Sequence, residues 1–199
     1  MQTWLPGRTP DHGSHRTSGP LARDIVGLIT SLRRAEVNGR SFDGRGRGGV
    51  LTDHDEWVAS CIDRSAHLLD GTRATRLWRA LRNLPSAGAD VMSHRDLTPF
   101  NLLTAGDRLV GVLDGGGFGP ADRALDLVAV WHLFDAARRQ MVREHLGAEE
   151  VEWRRGAAWA LQQAIGLVWY YEESNPAMSA LGLSTMRRLL ADEELSALA

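Results

Sequence analysis

The stretch of the chain that most constrains its fold is residues 91–130, which reads VMSHRDLTPFNLLTAGDRLVGVLDGGGFGPADRALDLVAV. Two apolar runs within it, residues 101–104 and 108–113, are separated by Ala-Gly-Asp. Apolar runs on either side of a short polar turn with glycine predict a β-hairpin. The hairpin places Asn101 at the start of one strand and Asp114 at the end of its antiparallel partner. We therefore expect these two side chains to lie side by side.

Three polar side chains around this hairpin fit one kind of chemistry. Asn101 and Asp114 offer two oxygen ligands, which a hard cation such as Mg²⁺ accepts together with waters and phosphate oxygens. Asp96 lies five residues before Asn101, on the loop that leads into the hairpin. There it can accept or orient the proton of an attacking hydroxyl. An aspartate that handles the nucleophile, with an Asn and a second Asp that hold metal, is the template of phosphoryl transfer.

Several short motifs resemble the catalytic half of the aminoglycoside phosphotransferase family, whose relatives include choline kinases and protein kinases. They are HRDLTPFN at residues 94–101, Asp114, GPAD at residues 119–122 and DL at residues 126–127. WLPG at residues 4–7 is similar to the hinge between the lobes of that family, and residues 159–178 are similar to its C-terminal helices. The resemblance implies an α+β fold, a protein kinase-like C-terminal lobe that is mainly α-helical, with a small β-hairpin carrying the catalytic and metal residues. It divides the chain into a hinge or linker remnant, residues 1–20, and the catalytic lobe, residues 21–199.

The resemblance also implies roles for individual residues. Asp96 is the expected catalytic base, and ATP with Mg²⁺ is the expected donor of a γ-phosphoryl group to a hydroxyl of a small molecule, aminoglycoside-like or another small alcohol. The other implied roles are Asn101 and Asp114 as metal ligands, Leu103 and Leu113 as the floor of the adenine site, Asp126 as the brace of the catalytic loop through His94 or a backbone N–H, and Glu172 and Glu173 as weaker candidates for contact with a polycationic substrate. For His94, we favour a structural role in shaping the loop over direct proton transfer.

The chain departs from the family pattern in three places. Arg95 stands where the family usually has glycine, although protein kinases carry arginine there. Gly115 and Gly116 replace the usual apolar residue after the metal aspartate, and their backbone freedom should loosen that turn. The sequence begins at the hinge, so the nucleotide-covering loop and phosphate-binding lysine of a kinase N-terminal lobe have no counterpart in it. All 23 of its Lys plus Arg residues are arginine.

The third departure keeps two alternatives open. The first is a noncatalytic module, a truncated or degenerate kinase relic that binds a small molecule or a partner without transferring phosphate. The second is a fragment of a protein Ser/Thr kinase, which HRD favours, but which Thr98 in place of lysine and the nearby Phe100 disfavour. A misplaced start would account for the absent lobe. We expect the hinge face to present an apolar patch that the missing lobe or a partner covers.

The segment SFDGRGRGG at residues 41–49 contains glycines in the pattern G-x-G-x-x-G. A phosphate-binding loop requires a strand before it and a strand or helix directly after it, and residues 35–41 show no strand signal. We therefore predict a flexible surface loop, in which Arg45 and Arg47 are only weak candidates for substrate contact.

Composition limits the remaining possibilities. A chain of 199 residues is long enough to bury the core of one domain or one large lobe. A formal net charge of −2 implies no nucleic-acid surface. The one cysteine, Cys61, excludes an internal disulfide, and the chain shows neither a run of about 18 apolar residues nor a signal pattern. These features predict a cytoplasmic protein with no nucleic-acid or membrane partner, and with Cys61 buried on a helix.

Hydrophobic periodicity predicts helices through most of the rest of the chain. Their predicted ranges are residues 21–38, 53–69, 72–84, 125–134, 136–146, 148–171 and 177–190. Asp53 is the predicted N-cap of the second helix, and Pro120 with Asp122 beside it is predicted to open the first turn of a helix. The helix over residues 125–134 is apolar on nearly all sides, so we predict that it is buried.

Overall fold

The computed structural model of this chain describes residues 6–11 and 13–198, so Trp4 and Leu5 of the predicted hinge motif lie outside the described residues. The described helices are α1 (Gly19–Arg34), α2 (Asp55–Arg64), α3 (Gly71–Leu81), α4 (Val128–Leu133), α5 (Ala136–Leu146), α6 (Glu150–Tyr170), α7 (Pro176–Ala191) and α8 (Glu193–Ser196). The described strands are β1 (Val91–Ser93), β2 (Leu102–Ala105), β3 (Arg108–Val112) and β4 (Gly119–Ala121). Short 3₁₀ turns span Leu51–His54, Pro99–Asn101, Gly115–Gly117 and Leu125–Leu127. This mainly helical structure with small antiparallel sheets confirms the predicted α+β fold class.

Strands β2 and β3 form the predicted hairpin. Leu102 lies opposite Val112, and one irregularity interrupts the register after Leu103. The turn between the strands contains Gly106, whose φ of 57° is a left-handed conformation that glycine adopts without strain. The hairpin prediction is therefore confirmed, with strand ends shifted by one residue at most.

The described segment before α1 is attached to this hairpin. The N–H of Arg8 donates to the carbonyl oxygen of Thr104 at 2.9 Å, and the N–H of Thr104 donates back to the carbonyl oxygen of Arg8 at 2.8 Å. Nε2 of His15 lies 3.0 Å from the carbonyl oxygen of Gly106. Arg8 thus extends the edge of the hairpin through a single β-bridge to Thr104.

The second sheet pairs β1 with β4, and the sequence pattern does not predict it. Met92 lies opposite Pro120 in this antiparallel pair. The prediction that Pro120 opens a helix is wrong, because the next helical turn begins only at Leu125. Asp122 does not favour a helix end either, since its buried carboxylate is paired with Arg155.

The other predicted helices are present, with shifted ends. The prediction for residues 53–69 is wrong at its start, because Leu51–His54 is a 3₁₀ turn, the α-helix begins at Asp55, and Asp53 caps neither element. The predicted helix over residues 125–134 is a 3₁₀ turn followed by α4. Every residue of α4 is buried, which confirms that prediction.

Helix α6 lies at the centre of the core, where it packs against α7, α2, α4 and α3. A Cβ on Gly182 of α7 would lie 2.7 Å from the carbonyl oxygen of Ala164, so only glycine permits this close approach of α7 to α6. Cys61 is buried on α2, as predicted, and burial raises the pKa of its thiol. No helix within the described residues combines the length and the apolar character needed to cross a membrane.

Candidate active site

Strand β1 leads into the catalytic loop, residues 94–98, and the buried side chain of Asp126 holds the start of this loop. The hydroxyl of Ser93 donates to Oδ1 of Asp126 at 2.9 Å, and the backbone N–H of His94 donates to Oδ2 at 3.1 Å. Burial raises the pKa of the Asp126 carboxyl, and these hydrogen bonds act against that rise. The structure therefore contains the contact between Asp126 and a backbone N–H that the family resemblance implies.

His94 ties the catalytic loop to the end of the hairpin. Its Nε2 lies 2.8 Å from the carbonyl oxygen of Leu113, and because a carbonyl oxygen only accepts, Nε2 carries the proton. Nδ1 is buried and has no hydrogen-bond partner among the described residues. This bond fastens the loop to the residue that precedes Asp114, which is the kind of contact expected of a structural histidine.

Arg95 adopts a φ of 67°, in the left-handed region where glycine is favoured. This conformation gives a physical reason for the glycine that the family usually has at this position. The Arg95 side chain is buried and makes several contacts. Its guanidinium donates to the carbonyl oxygen of Pro120 at 2.8 Å, to Oδ1 of Asp43 at 3.1 Å and to the carbonyl oxygen of Arg45 at 3.3 Å. It also lies over the ring of Phe42, 5.1 Å from the ring centre. These contacts hold an unfavourable backbone conformation in place.

Asn101 joins the catalytic loop to the hairpin. Its side-chain Nδ2 donates to the backbone carbonyl oxygen of Asp96 at 2.8 Å. The backbone carbonyl oxygen of Asn101 accepts from the N–H of Leu113 at 2.7 Å. The second bond places Asn101 beside the residue that precedes Asp114, as the hairpin predicts. Because the amide NH₂ is used in the first bond, Oδ1 of Asn101 is left as a ligand atom.

Asp114 is exposed and adopts a left-handed conformation, with φ of 54° and ψ of 49°. This conformation costs an ordinary L-residue about 1–2 kcal/mol, and aspartate is one of the few residue types that tolerate it. The carboxylate does not cap the Gly115–Gly117 turn, and it has no hydrogen-bond or ion-pair partner among the described residues. Together with Oδ1 of Asn101, it supplies the hard oxygen donors that suit Mg²⁺.

An apolar surface lies on the hairpin next to these ligands. Leu113 is 40% exposed and lies opposite Asn101 in the hairpin. Leu103 is half-buried and lies two residues after Asn101, on the same face of its strand. A Cβ on Gly7 would lie 3.0 Å from Val110 and 3.1 Å from Leu103, so the hinge segment packs against this surface. The exposed leucine and valine match the apolar patch expected on the hinge face.

His94, Asp96 and Asp114 line one cavity of about 680 Å³. Volumes of this size are typical of small-molecule sites. The Gly115–Gly117 turn and β4 contribute part of the wall, and the glycine-rich segment, residues 41–49, contributes another part. The structure thus brings together three of the predicted site residues and a segment that the sequence treats as unrelated to them.

Residues 41–49 form a surface loop without helix or strand, as predicted, but contacts fasten the segment at both ends. The N–H of Phe42 donates to Oδ2 of Asp90 at 2.8 Å, and Nε2 of His54 lies 3.2 Å from the carbonyl oxygen of Gly48. Gly48 has a φ of 136°, and a Cβ there would lie 2.7 Å from the ring of Phe42. The loop folds back on its own aromatic residue.

This loop brings Arg47 to Asp96, the predicted catalytic base. Nη1 of Arg47 forms an ion pair with Oδ1 of Asp96 and lies 3.4 Å from Oε1 of Gln163 on α6. Both partners are partly exposed, Arg47 at 42% and Asp96 at 36% of the side chain. The sequence makes Arg47 only a weak candidate, since nothing in it links residue 47 to residue 96. The available signal is the run of glycines on both sides of the arginine.

A buried ion pair supports the site from the α6 side. Oδ2 of Asp122 accepts from Nε of Arg155 at 2.8 Å, from Nη2 of Arg155 at 2.5 Å, and from Nε1 of Trp159 at 2.9 Å. Nη1 of Arg155 donates to the carbonyl oxygen of Leu84 at 2.7 Å. Asp122 directly follows β4, so this pair fixes the end of that strand to α6.

Glu172 and Glu173 are not brought to the site. Both are exposed, and neither is among the residues that line the cavity. The carboxylate of Glu172 instead lies 3.1 Å from Nε2 of His67. The structure therefore provides no contact through which these acids reach a substrate beside Asp96.

A mainly helical lobe with a small β-hairpin, and with His94, Asp96 and Asp114 lining one cavity, is typical of the protein kinase-like class of phosphotransferases. The family model described as "Phosphotransferase enzyme family" matches residues 1–159. The chain belongs to this family, which confirms the resemblance drawn from its motifs.

Individual relatives agree with this assignment. An aminoglycoside 3′-phosphotransferase of Escherichia coli is 37% identical over 67 residues, which are 33% of this chain and 25% of that curated relative. A macrolide 2′-phosphotransferase of Brachybacterium faecium has a similar structure, with a TM-score of 0.59 and 16% identity over 92% of this chain and 68% of that chain. An APH(2″) enzyme in complex with GDP and kanamycin has a TM-score of 0.61 and 15% identity, over 98% of this chain and 69% of that chain. These structural likenesses establish a shared fold.

Proposed function

We propose that this protein transfers the γ-phosphoryl group of ATP, with Mg²⁺, to a hydroxyl group of a small molecule. The observation that carries the proposal is the connection of Asn101 to two aspartates that line one cavity. Asp96 and Asp114 line that cavity, and Asn101 is bonded to the backbone of the first and lies beside the residue preceding the second. Membership of the phosphotransferase family and the GDP complex of a structural relative support a nucleotide donor.

Each residue has a defined task in this proposal. The carboxylate of Asp96 accepts or orients the proton of the acceptor hydroxyl, which raises the nucleophilicity of its oxygen. Asn101 and Asp114 would hold Mg²⁺ through oxygen atoms, and Leu103 and Leu113 would form the floor of the adenine site. When bound, ATP with Mg²⁺ supplies the electrophilic phosphoryl group.

The buried contacts around the loop explain how Asp96 keeps its position. Asp126 fixes the loop at its start, His94 fixes it to Leu113, and Asn101 fixes the backbone of Asp96 itself. Positioning accounts for much of the catalysis of phosphoryl transfer, because the reaction requires little covalent chemistry from the protein. A rigid loop is therefore part of the proposed mechanism.

Asp96→Asn tests the role of the base. We expect ADP release in the presence of ATP, Mg²⁺ and a panel of small alcohols to fall by roughly 10²–10⁴-fold, the usual contribution of a general base. Asp107→Asn, which changes an exposed aspartate in the hairpin turn, is the matched control and should retain full activity. Circular dichroism and urea unfolding should show that both variants keep their fold. An active protein whose rate is the same in Asp96→Asn contradicts the proposal.

Calorimetric titration of ATP in the presence and absence of Mg²⁺ tests the metal site. We expect metal-dependent binding that disappears in Asp114→Ala, because this substitution removes the exposed carboxylate next to Asn101. Metal-dependent binding without phosphotransfer to any acceptor would instead support the noncatalytic binding module.

A further inference from the structure

We infer that the acceptor carries an anionic group, a carboxylate or a phosphate ester, near its reactive hydroxyl, and that Arg47 with Arg40 and Arg45 binds this group. The inference rests on the proposed function and specifies its substrate class. It starts from the charges in the cavity and from the ion pair between Arg47 and Asp96.

Cationic side chains are in excess in the cavity wall. The guanidinium groups that line it belong to Arg40, Arg45, Arg47 and Arg95, and the carboxylates belong to Asp43, Asp96 and Asp114. Arg95 is paired with Asp43, and Asp114 is the proposed metal ligand. Among the described residues, Arg40 and Arg45 are therefore left without a carboxylate partner.

Arg40 is held in position without being neutralised. Its Nε donates to the carbonyl oxygen of Val37 at 2.9 Å, and its Nη2 lies 3.8 Å from the sulfur of Met92. Arg45 is exposed, and its backbone accepts from Arg95 and donates to Asp43. The guanidinium of Arg40 is thus held at the cavity wall, whereas Arg45 is anchored there through its backbone.

Arg47 stands where the acceptor hydroxyl has to arrive. Its guanidinium contacts Asp96, and the loop that carries it is fastened by Phe42 and Gly48. A guanidinium binds any carboxylate or phosphate in the same forked geometry, so it can pass from Asp96 to an anionic group of the acceptor. That exchange leaves the carboxylate of Asp96 available for the hydroxyl proton. An anionic acceptor therefore prepares the base as it binds.

A polycationic acceptor fits this cavity poorly. It would compete with Arg47 for Asp96 and would approach Arg40 and Arg45, whose like charges repel it. The acidic residues expected to receive such a substrate, Glu172 and Glu173, do not line the cavity.

The position of the loop favours the acceptor over the nucleotide as the source of the anion. Side chains of the loop bond to Asp96, Arg95 and Gln163, and its backbone bonds to Asp90 and His54. Within the described part of the chain, none of its hydrogen bonds reaches the β2–β3 hairpin, which carries Leu103 of the proposed adenine floor.

The test is a binding measurement that does not depend on turnover. The arginine Nε–Hε resonances of the ¹⁵N-labelled chain would be followed by NMR during titration with glycerol 3-phosphate, D-glycerate, glycerol and kanamycin. We expect the resonance that disappears in Arg47→Gln to shift saturably with the two anionic alcohols and to stay unchanged with glycerol and kanamycin.

Two variants give the expected magnitude. Arg47→Gln should raise the dissociation constant of glycerol 3-phosphate by about tenfold or more, the loss expected for a charge-assisted hydrogen bond. Arg79→Gln removes an exposed guanidinium on α3 and should change that constant by less than about twofold, because a distant surface charge is screened. The backbone spectrum of each variant reports whether its fold is retained.

Three results would overturn the inference. The first is the lack of a saturable shift with either anionic alcohol, and the second is an equal loss in Arg79→Gln and Arg47→Gln. The third concerns the source of the anion. It is the result that Arg47→Gln weakens the binding of ATP with Mg²⁺ but leaves the binding of glycerol 3-phosphate unchanged. That result would assign Arg47 to the nucleotide phosphates.

The titration, combined with the ADP-release assay on the same alcohols, separates this inference from the proposed function. Arg47-dependent binding of an anionic alcohol without phosphotransfer supports the inference and contradicts the proposed activity. Phosphotransfer to glycerol or kanamycin, without binding of either anionic alcohol, supports the activity and contradicts the inference.

Discussion

The buried pair of Asp122 and Arg155 offers the sharpest test of how the structure is held together. Each side chain is 8% exposed, and Oδ2 of Asp122 accepts from two nitrogens of Arg155 and from Trp159. Asp122→Asn keeps the shape of the side chain but removes its charge. It also turns part of the acceptor group into a donor, which then faces other donors. The guanidinium of Arg155 is left buried without its counter-charge.

Removing one partner of such a pair costs about 3–5 kcal/mol, because the remaining charge is desolvated and uncompensated. A domain of this kind has a total unfolding free energy of roughly 5–15 kcal/mol, so the substitution would remove a large share of it. For a chain of 199 residues, each kcal/mol corresponds to about 2–4 °C in melting temperature, which gives a decrease of roughly 6–20 °C.

Urea unfolding, followed by circular dichroism, measures this loss. Glu194→Gln is the matched control, because Glu194 pairs with Arg143 at the surface and its side chain is 57% exposed. Its expected effect is below about 1 kcal/mol. If Asp122→Asn costs no more than Glu194→Gln, the carbonyl oxygens that Arg155 also contacts are sufficient to hold its charge. The reasoning from the ion pair would then be refuted.

Two further predictions concern packing and pH. Gly182→Ala should lower the free energy of unfolding by about 1–3 kcal/mol, since the new Cβ would lie 2.7 Å from a backbone oxygen of α6. Gly27→Ala, at an exposed position of α1 with nothing within 4 Å of the added Cβ, should raise the free energy of unfolding by about 0.5–1 kcal/mol. Equal effects of the two substitutions in urea unfolding would contradict both expectations. Burial lowers the pKa of His132 from 6.5 to about 3, so its contribution to stability is present above pH 6.5 and is lost toward pH 3. Each pH unit within that window removes about 1.4 kcal/mol, because only the unfolded state takes up the proton. The free energy of unfolding, measured by urea titration from pH 7 to pH 5, should therefore fall less steeply with decreasing pH in His132→Gln than in the unchanged chain. Identical slopes would refute this role of His132.

The hairpin and the buried helix α4 could be predicted from the sequence because their sequence signals are local. A hairpin is specified by two apolar runs and the turn between them, here at Gly106. A helix without a polar face has to be buried, as α4 is. The register also brings Asn101 opposite Leu113, the residue that precedes Asp114, so the hairpin prediction places the two proposed metal ligands at the same end of the hairpin.

The β1–β4 sheet could not be predicted in this way. Strand β4 consists of Gly119, Pro120 and Ala121, which have no alternation and no β-branched residue. Proline cannot donate a hydrogen bond and is uncommon in strands. What makes this segment a strand is its partner β1 together with the buried pair that anchors Asp122 to α6. These are tertiary contacts that no local pattern contains.

The glycine-rich segment makes contacts that could not be predicted, for a similar reason. Its composition is that of a flexible loop, and the contacts that order it come from far along the chain. Phe42 is bonded to Asp90, and Asp43 to Arg95. The sequence separation of these pairs, 48 and 52 residues, places them outside the reach of any local rule. The glycines provide the positive φ angles that let the loop follow this path.

Two unusual features of the sequence, Arg95 and the glycine-rich segment, are linked by direct contacts. An arginine in the left-handed region costs free energy that the usual glycine avoids, so its presence requires compensation. The compensation comes from Asp43 and the carbonyl oxygen of Arg45, which belong to the glycine-rich segment, and from Pro120 in β4. Arg95 therefore orders the segment that carries Arg47, and Arg47 in turn contacts Asp96. Replacing Arg95 with the family's glycine would relieve the backbone strain and at the same time release the loop from Asp96. The departure from the family pattern and the cationic cavity wall thus depend on each other, which is why the acceptor class of this protein should be read from its own loop.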